Sequence, residues 1–98
     1  MRYEIVLTET AQRHYLALDA RWRAVVKNGL ETHLRHEPAK TSRSRIKRLR
    51  DREHPEDRLR LDEYRVFYDI AGQTVVVLAI VPKGGATDWL HEQGVKSL

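Results

Sequence analysis

Arginines occupy alternate positions in one segment of this 98-residue chain. In the run Arg58-Leu59-Arg60-Leu61 they alternate with leucines, and Arg65 follows within a second strand-like run. Because alternate side chains of a β-strand point to opposite faces, the leucines are expected in the core and the arginines on the other face. A guanidinium stays charged and donates two parallel hydrogen bonds to phosphate oxygens. The pattern predicts an "arginine face", carrying Arg58, Arg60 and Arg65, that binds a phosphate group.

The preceding basic run is expected to extend the arginine face. Leu49 is assigned to the core, which places Arg48 and Arg50 on the arginine face, although Ile46 shares their parity and counts against this register. Like charges that face each other across strands are destabilising, so their convergence favours an anionic ligand that neutralises them. The alternative is that each arginine is solvated or paired with a nearby carboxylate.

Composition excludes several classes of protein. Lys and Arg number 18 against 14 Asp and Glu, and the net charge of +4 is compatible with a polyanionic partner. The absence of cysteine excludes a disulfide framework and a thiol nucleophile. No carboxylates stand at metal-ligand spacing, so neither a metal nor another cofactor is expected. The sequence also lacks the apolar runs of a signal peptide or a membrane span, so we expect a cytoplasmic protein without membrane association.

The first half of the chain predicts a strand followed by a helical hairpin. The run Tyr3–Leu7 is short, apolar and β-rich, and Thr8 and Asp19 are candidate N-caps of two helices. The second helix must end before Pro38, because residues that precede proline are pushed out of the α region. Gly29 interrupts the apolar stripe of this helix, which predicts that another element packs closely there.

The second half predicts four strands and a short last helix. The strand-like runs are joined by short turns, which favours antiparallel pairing; they span residues 46–51, 58–62, 64–70 and 74–81. The last helix is expected from Ala86 to Gln93, with Gly94 as its stop. Residues 1–98 are therefore predicted to form a single α+β domain of order β-α-α-β-β-β-β-α. Its mostly antiparallel sheet of about five strands would carry the helical hairpin on one face.

This layout resembles the RelE/ParE toxin superfamily of bacterial type II toxin–antitoxin modules. The resemblance extends from Tyr3 to about Gly94. It is carried by Arg48-Leu49-Arg50, Arg58-Leu59-Arg60-Leu61, Tyr64-Arg65-Val66-Phe67-Tyr68, the apolar run from Val75 to Val81, and Lys83. The resemblance implies the α+β fold of this superfamily. For the RelE branch, which the arginines favour, it implies a metal-independent endoribonuclease (an mRNA interferase) that cleaves messenger RNA on the ribosome.

The resemblance implies roles for Arg50, Arg58, Arg60, Arg65 and Lys83, and the residue types and strand parity add Arg48, Trp89 and a histidine to them. The residues expected to bind and polarise the scissile phosphate are Arg58, Arg60 and Arg65. The residues expected to hold flanking RNA are Arg48, Arg50, Lys83 and Trp89. The adjacent 2′-hydroxyl would be the nucleophile, and fixed guanidinium groups would stabilise the charge that develops on the phosphorane. Proton transfer would fall to His91 or, alternatively, to His54.

The chain departs from the RelE pattern at two positions. The family arginine that follows the lysine falls on Gly84, and the C-terminal tyrosine that stacks on a base falls on Leu90. Trp89, beside Leu90, either stacks on a base or packs the last helix on the sheet.

Two alternatives of different kinds remain at this stage. The ParE branch shares the fold, lacks the nuclease residues and poisons DNA gyrase, and the glycine at position 84 favours it. A catalytically inactive relative would only bind its antitoxin. All three hypotheses imply a cognate antitoxin and a toxin–antitoxin hetero-oligomer; the nuclease adds messenger RNA and the ribosome as partners, and the ParE-like toxin adds gyrase.

Overall fold

The secondary structure follows the predicted order β-α-α-β-β-β-β-α. The computed structural model describes residues 2–42, 45–49 and 54–96. In that part of the chain the elements are β1 (Glu4–Leu7), α1 (Glu9–Ala17), α2 (Ala20–Leu34), β2 (Ile46–Arg48), β3 (Asp57–Leu61), β4 (Tyr64–Ala71), β5 (Thr74–Pro82) and α3 (Ala86–Lys96). The α+β prediction is confirmed. The predicted helix stop is wrong, because α3 continues through Gly94 to Lys96.

The five strands of the described sheet lie in the order β1-β5-β4-β3-β2. Neighbouring strands are antiparallel except for β1, which runs parallel to β5. Two-residue turns join β3 to β4 and β4 to β5, and in each turn the first residue has a positive φ, at Asp62 and Gly72. Such turns match the twist of the strands they join and fix their register. The helical hairpin lies in the chain between β1 and its parallel partner β5. Both of its helices lie beside the sheet.

The predicted N-caps are confirmed. The Thr8 hydroxyl accepts a hydrogen bond from the Ala11 backbone N–H, and the Asp19 carboxylate accepts one from the Trp22 N–H at 2.9 Å. Each cap satisfies one of the backbone donors that a helix leaves free at its start. Only Leu18 and Asp19 lie between the two helices, so α1 and α2 form the expected hairpin.

The helical hairpin covers one face of the sheet and forms the main core with it. The buried residues of this core are Ala11, Leu18, Val26, Leu30, Leu34, Ile46, Leu59, Leu61, Val66, Tyr68, Val75, Val77 and Ile80. Tyr68 is fully buried, and its hydroxyl donates a hydrogen bond of 2.6 Å to the Pro38 carbonyl. Burial raises the pKa of this phenol, which keeps the hydroxyl protonated and able to donate. No helix in the described ranges is long and apolar enough to cross a membrane.

Gly29 lies where α2 packs against β3. A β-carbon built on Gly29 would lie 2.5 Å from one methyl carbon of Leu61 and 2.6 Å from the other. Leu61 is buried in the main core, so its side chain cannot move away without disturbing its neighbours. The close approach that the sequence predicts at Gly29 is therefore confirmed.

Gly29→Ala should destabilise the protein by about 1–2 kcal/mol, although alanine favours a helix over glycine by about 1 kcal/mol. The destabilisation comes from overlap with Leu61. Urea unfolding of the wild type, Gly29→Ala, Leu61→Ala and the double variant measures it. In the Leu61→Ala background the overlap is gone, and Gly29→Ala should be neutral or stabilising. A stabilising effect in the wild-type background would contradict the contact.

The N-cap residue of α1 and a histidine in its last turn hydrogen-bond the edge of β5 beyond the end of β1. The Thr8 N–H donates to the Val77 carbonyl, and the Thr8 hydroxyl donates to the Leu78 carbonyl. Further along, the Ile80 N–H donates to Nδ1 of His14 at 3.1 Å. A ring nitrogen accepts a hydrogen bond only when it carries no proton, so this contact requires a neutral imidazole.

Acid should weaken the fold through His14. Burial, and then the charge of Arg13, lower the pKa of His14 below its ordinary value of 6.5. The unfolded chain therefore binds this proton more readily than the folded protein, and the unfolding free energy should fall as pH is lowered below about 6.5. The pKa of His33 is lowered in the same direction by burial and Arg45, so both histidines contribute.

His14→Asn separates the contribution of His14 to the pH dependence of the unfolding free energy from the contribution of His33. The Asn side-chain oxygen can accept the Ile80 N–H and does not titrate, so the variant should keep the fold but show a weaker pH dependence between pH 7 and pH 5. The slope of unfolding free energy against pH should decrease by less than about 1.4 kcal/mol per pH unit, the value for the uptake of one whole proton. Unfolding curves at three pH values measure it. Equal slopes for the variant and the wild type would show that His14 is not responsible.

Candidate nucleic-acid interface

The structure places three arginines on the face of the sheet that lies away from the helical hairpin. Arg60 on β3 pairs directly with Arg65 on β4, and Arg58 pairs with Phe67. The intervening residues of the two strands, including Leu59 and Leu61, are buried in the main core. The alternation in the sequence therefore assigns Arg58, Arg60 and Arg65 to the arginine face correctly.

These arginines are not neutralised by neighbouring acids. Among the described residues, no carboxylate lies within 4 Å of the guanidinium groups of Arg58, Arg60 or Arg65. Burial and the charge of Arg60 lower the pKa of Arg58, and burial followed by the charges of Arg60 and Arg58 lowers the pKa of Arg65. The positive charges of Arg58 and Arg65 are therefore disfavoured by burial and by neighbouring arginines, an effect that the charge of Glu63 partly offsets at Arg65, as expected of a site that gains stability when an anion binds.

The three arginines differ in how they are held. Arg65 is only 5% exposed, and its Nη1 donates to the carbonyls of Asp62 and Tyr64 at 2.8 and 2.9 Å. Arg58 is half-buried, and its Nε has no hydrogen-bond partner in the described structure. Arg60 is exposed. Arg65 is thus fixed at the back of the cluster, while Arg60 and Arg58 can reach a ligand.

The register of β2 contradicts the prediction for Arg48. Ile46 pairs with Leu59 in the main core, which places Lys47 opposite Arg58 and Arg48 opposite Asp57. Arg48 therefore lies on the hairpin side of the sheet, where its Nη2 is 3.3 Å from a carboxylate oxygen of Glu56 and its Nη1 is 3.9 Å from one of Asp57.

The error comes from choosing Leu49 rather than Ile46 as the core residue of β2. Leu49 packs instead against a second apolar cluster on the arginine face. A shift of one residue exchanges the two faces of a strand, so this choice also left Lys47 out of the predicted arginine face. The parity of Ile46 was the signal that could have identified it. Arg50 lies outside the described residues.

Helix α3 lies across part of the arginine face. The apolar cluster beneath it is formed by Phe67, Ala79 and Val81, with Leu49, Ala86, Trp89 and Leu90 packed against it. The Trp89 ring is stacked on Phe67, with ring centroids 5.0 Å apart and an angle of 12° between the planes. Of the two interpretations of Trp89, packing of the last helix is the one that the structure shows.

Two other predicted site residues lie at the margins of the cluster. Lys83 begins a short 3-10 turn after β5, and its N–H donates to the Glu63 carbonyl at 2.7 Å, which brings its backbone to the turn that precedes Arg65. His91 is exposed on α3, and within the described ranges no hydrogen bond or ion pair links it to an arginine. The proton-transfer role of His91 therefore stays a prediction.

A histidine and an aspartate meet near the other end of β4. Nδ1 of His54 lies 2.7 Å from one carboxylate oxygen of Asp69, and the other oxygen accepts the Glu56 N–H at 2.7 Å. Both residues line a groove of about 700 Å³ that also includes Trp89. No group of three or more acidic or histidine side chains in the described ranges is arranged to hold a metal ion.

Comparison with known proteins gives matches to solved structures alone. No protein-family model matches the sequence, and no curated protein matches it significantly. The crystal structure of the toxin–antitoxin complex RelBE2 from Mycobacterium tuberculosis contains a chain with a TM-score of 0.71 and 29% sequence identity; the match covers 85% of this chain and 100% of the other.

Two archaeal structures give the same result at lower identity. The RelE–RelB complex from Pyrococcus horikoshii OT3 matches with a TM-score of 0.69 and 20% identity, over 86% of this chain and 98% of the other. The RelB–RelE antitoxin–toxin complex from Methanococcus jannaschii matches with a TM-score of 0.65 and 15% identity, over 86% and 96%. Together with the element order and the sheet topology, these matches show that the chain has the RelE-like toxin fold of the RelE/ParE superfamily.

Proposed function

We propose that this protein is the toxin of a type II toxin–antitoxin module and that it cleaves messenger RNA on the ribosome. The similarity to chains of three toxin–antitoxin complexes supports the first part. The nuclease part rests on one observation, the cluster of Arg58, Arg60 and Arg65 on one sheet face with no carboxylate paired to it in the described structure.

The cluster suits cleavage by the adjacent 2′-hydroxyl. Arg60 and Arg58 would donate to the non-bridging oxygens of the scissile phosphate, and the fixed charge of Arg65 would add to the field behind them. Negative charge increases on these oxygens as the phosphorane forms, so donors already in place stabilise the transition state more than the substrate. The positive charge needed for this step comes from side chains of β3 and β4.

A cognate antitoxin is the partner that follows from this proposal. The matched structures are complexes of a toxin with an antitoxin. A partly acidic antitoxin segment that orders on the arginine face would neutralise the cluster and exclude RNA from it. We expect a stable toxin–antitoxin hetero-oligomer in the cytoplasm.

Expression of the chain alone from a tightly controlled promoter tests the proposed function. Growth should stop, and new transcript ends should map inside translated regions. A reporter transcript whose start codon is mutated is the matched control, because it should remain uncut while the translated copy is cleaved. Cleavage of both transcripts would contradict ribosome dependence.

The same experiment distinguishes the second candidate function, inhibition of DNA gyrase. One observation favours it: Gly84 occupies the position of a family arginine, and it lies exposed in the turn after β5. DNA breaks and filamentation with intact transcripts would identify this activity and overturn the nuclease proposal. Normal growth with binding to the antitoxin would identify an inactive relative.

A further inference from the structure

The pair formed by His54 and Asp69 has the geometry of a proton-transfer site. Asp69 is 14% exposed, and both of its carboxylate oxygens are engaged, one by the Glu56 N–H and one by His54. His54 itself is 69% exposed. The carboxylate is therefore held in place by the backbone, while the ring it contacts is open to a ligand.

Asp69 determines which ring nitrogen of His54 carries the proton. An ionised carboxylate can only accept hydrogen bonds, so the neutral ring donates from Nδ1. Nε2 then keeps its lone pair and is the ring nitrogen available to a ligand. A histidine oriented in this way by a half-buried carboxylate is the arrangement that general bases use in hydrolytic and transfer reactions.

The pair lies on the same face as the arginines. Strand alternation places Asp69 on the side of Phe67 and Arg65, and Arg58 is the cross-strand partner of Phe67. A diagonal neighbour across two antiparallel strands is ~7–8 Å away, so of Arg58, Arg60 and Arg65 it is Arg58 that lies nearest to Asp69. The side chains of Arg58 and His54 are long enough to contact adjacent groups of one nucleotide.

The groove beside the pair is large enough for part of a nucleotide chain. Its volume is about 700 Å³, and its lining includes His54, Asp69, Trp89, Thr10 and Arg13. Trp89 is half-buried, with Phe67 against one side of its ring. The groove therefore offers an aromatic wall, a cation and a histidine, which suits a base, a phosphate and a ribose hydroxyl.

We propose that His54 is the general base of RNA cleavage and that Asp69 is its positioning residue, an assignment that rests on the proposed nuclease function. Nε2 of His54 takes the proton from the ribose 2′-hydroxyl, and the freed electron pair of O2′ forms a bond to phosphorus. The P–O5′ bond breaks, and O5′ takes a proton from water. The imidazolium returns its proton to the resulting hydroxide, leaving a 2′,3′-cyclic phosphate and a 5′-hydroxyl.

Cleavage rates of the full-length variants in a translating extract test the assignment. His54→Ala should lower the cleavage rate by roughly 100-fold or more, the usual contribution of a general base. Free imidazole should restore at least part of the rate to His54→Ala and leave the wild type unchanged, which a structural role of His54 does not predict. His36→Ala, which removes an exposed histidine between α2 and β2, is the matched control and should cleave at the wild-type rate.

Asp69→Asn tests the positioning role by a readout other than activity. Its amide can donate to Nδ1, so the proton of the ring should move to Nε2, and nitrogen NMR of labelled histidine reports this exchange of tautomer. The cleavage rate of Asp69→Asn should also fall, and free imidazole should not restore this rate. A wild-type ring protonated on Nε2 overturns the assignment of Asp69.

The outcomes separate this inference from the function on which it rests. A wild type that cleaves RNA, together with a folded His54→Ala variant that cleaves within threefold of it, overturns the assignment of His54 alone. A folded variant that loses activity and gains none from imidazole also overturns it. A wild-type protein that cleaves no translated RNA overturns the proposed function and this inference together.

Discussion

Replacing Arg58 and Arg60 together by methionine should lower the rate of messenger RNA cleavage by about 10³-fold or more, since the loss of a single preorganised donor to a transition-state oxyanion costs roughly 10²–10³-fold. Both guanidinium groups can reach the arginine face, and neither is paired with a described carboxylate. Methionine keeps the length and the apolar stem of each side chain, so the variant removes charge and hydrogen bonding with little loss of packing.

The same double variant should remain folded. Arg60 disfavours the positive charge of Arg58, both disfavour that of Arg65, and the unpartnered Nε of Arg58 is lost with the substitution. We expect the unfolding free energy to change by less than about 1 kcal/mol. Arg21→Met with Lys27→Met, on the exposed side of α2, removes the same charge and should leave cleavage unchanged. A folded Arg58→Met/Arg60→Met variant that still arrests growth would contradict the active-site assignment.

Arg65 is a less informative position for such a test. Its guanidinium donates to the carbonyl of Asp62 in the turn and to that of Tyr64 at the start of β4, so its removal leaves these two acceptors without that donor. Loss of activity in an Arg65 variant would combine a change in charge with a change in the turn. For this reason Arg58 and Arg60, neither of which the structure shows bonded to the turn, give the cleaner experiment.

The fold could be predicted from the sequence because several local signals agree with each other. The two N-caps fix the starts of α1 and α2, and the short turns around Asp62 and Gly72 allow only antiparallel pairing of β3, β4 and β5. Each signal depends on residues a few positions apart. The parallel pairing of β1 with β5 is a contact between residues about 70 positions apart, and no local pattern specifies it.

The candidate site could be predicted only where alternation is unambiguous. Leu59 and Leu61 fix the face of β3, so Arg58 and Arg60 follow from them. In β2 and the residue that follows it, two apolar residues of opposite parity are at least partly buried, Ile46 in the main core and Leu49 against the second apolar cluster, so the sequence supports both registers. The contact of His54 with Asp69 joins a loop to a strand 15 residues away, and neither residue stands in a motif.

The arginine face is divided by α3 into two polar regions. Arg60 and Arg65 lie toward the turn between β3 and β4, and His54 and Asp69 lie near the other end of β4. Between them Trp89 is stacked on Phe67. A single-stranded RNA that contacts both regions must therefore pass along Trp89, so the proposed cleavage requires that α3 leave one nucleotide accessible to both Arg58 and His54.

Phe67→Ala should lower the unfolding free energy by about 3–5 kcal/mol, the usual range for the loss of a buried phenylalanine. Phe67 is fully buried at the centre of the second apolar cluster, where Ala79 and Val81 are too small to fill the space it would leave. The variant should also release Trp89 from its stacking partner. Urea unfolding measures the stability, and tryptophan fluorescence in a Trp22→Phe background reports the exposure of Trp89 alone.

Two further variants, Trp89→Ala and the double variant Phe67→Ala/Trp89→Ala, separate two contributions to the unfolding free energy. One is the packing of α3, and the other is the burial of Phe67 itself. Trp89 is only half-buried, so Trp89→Ala should cost less than Phe67→Ala. Because the two rings are in contact, the double variant should be more stable than the sum of the single losses predicts, by at least about 0.5 kcal/mol. Strictly additive losses, or a Phe67→Ala variant within about 1 kcal/mol of the wild type, would mean that α3 is held on the sheet by other contacts. In that case those contacts, and not the stacking of Trp89 on Phe67, would fix the position of α3 between the two polar regions.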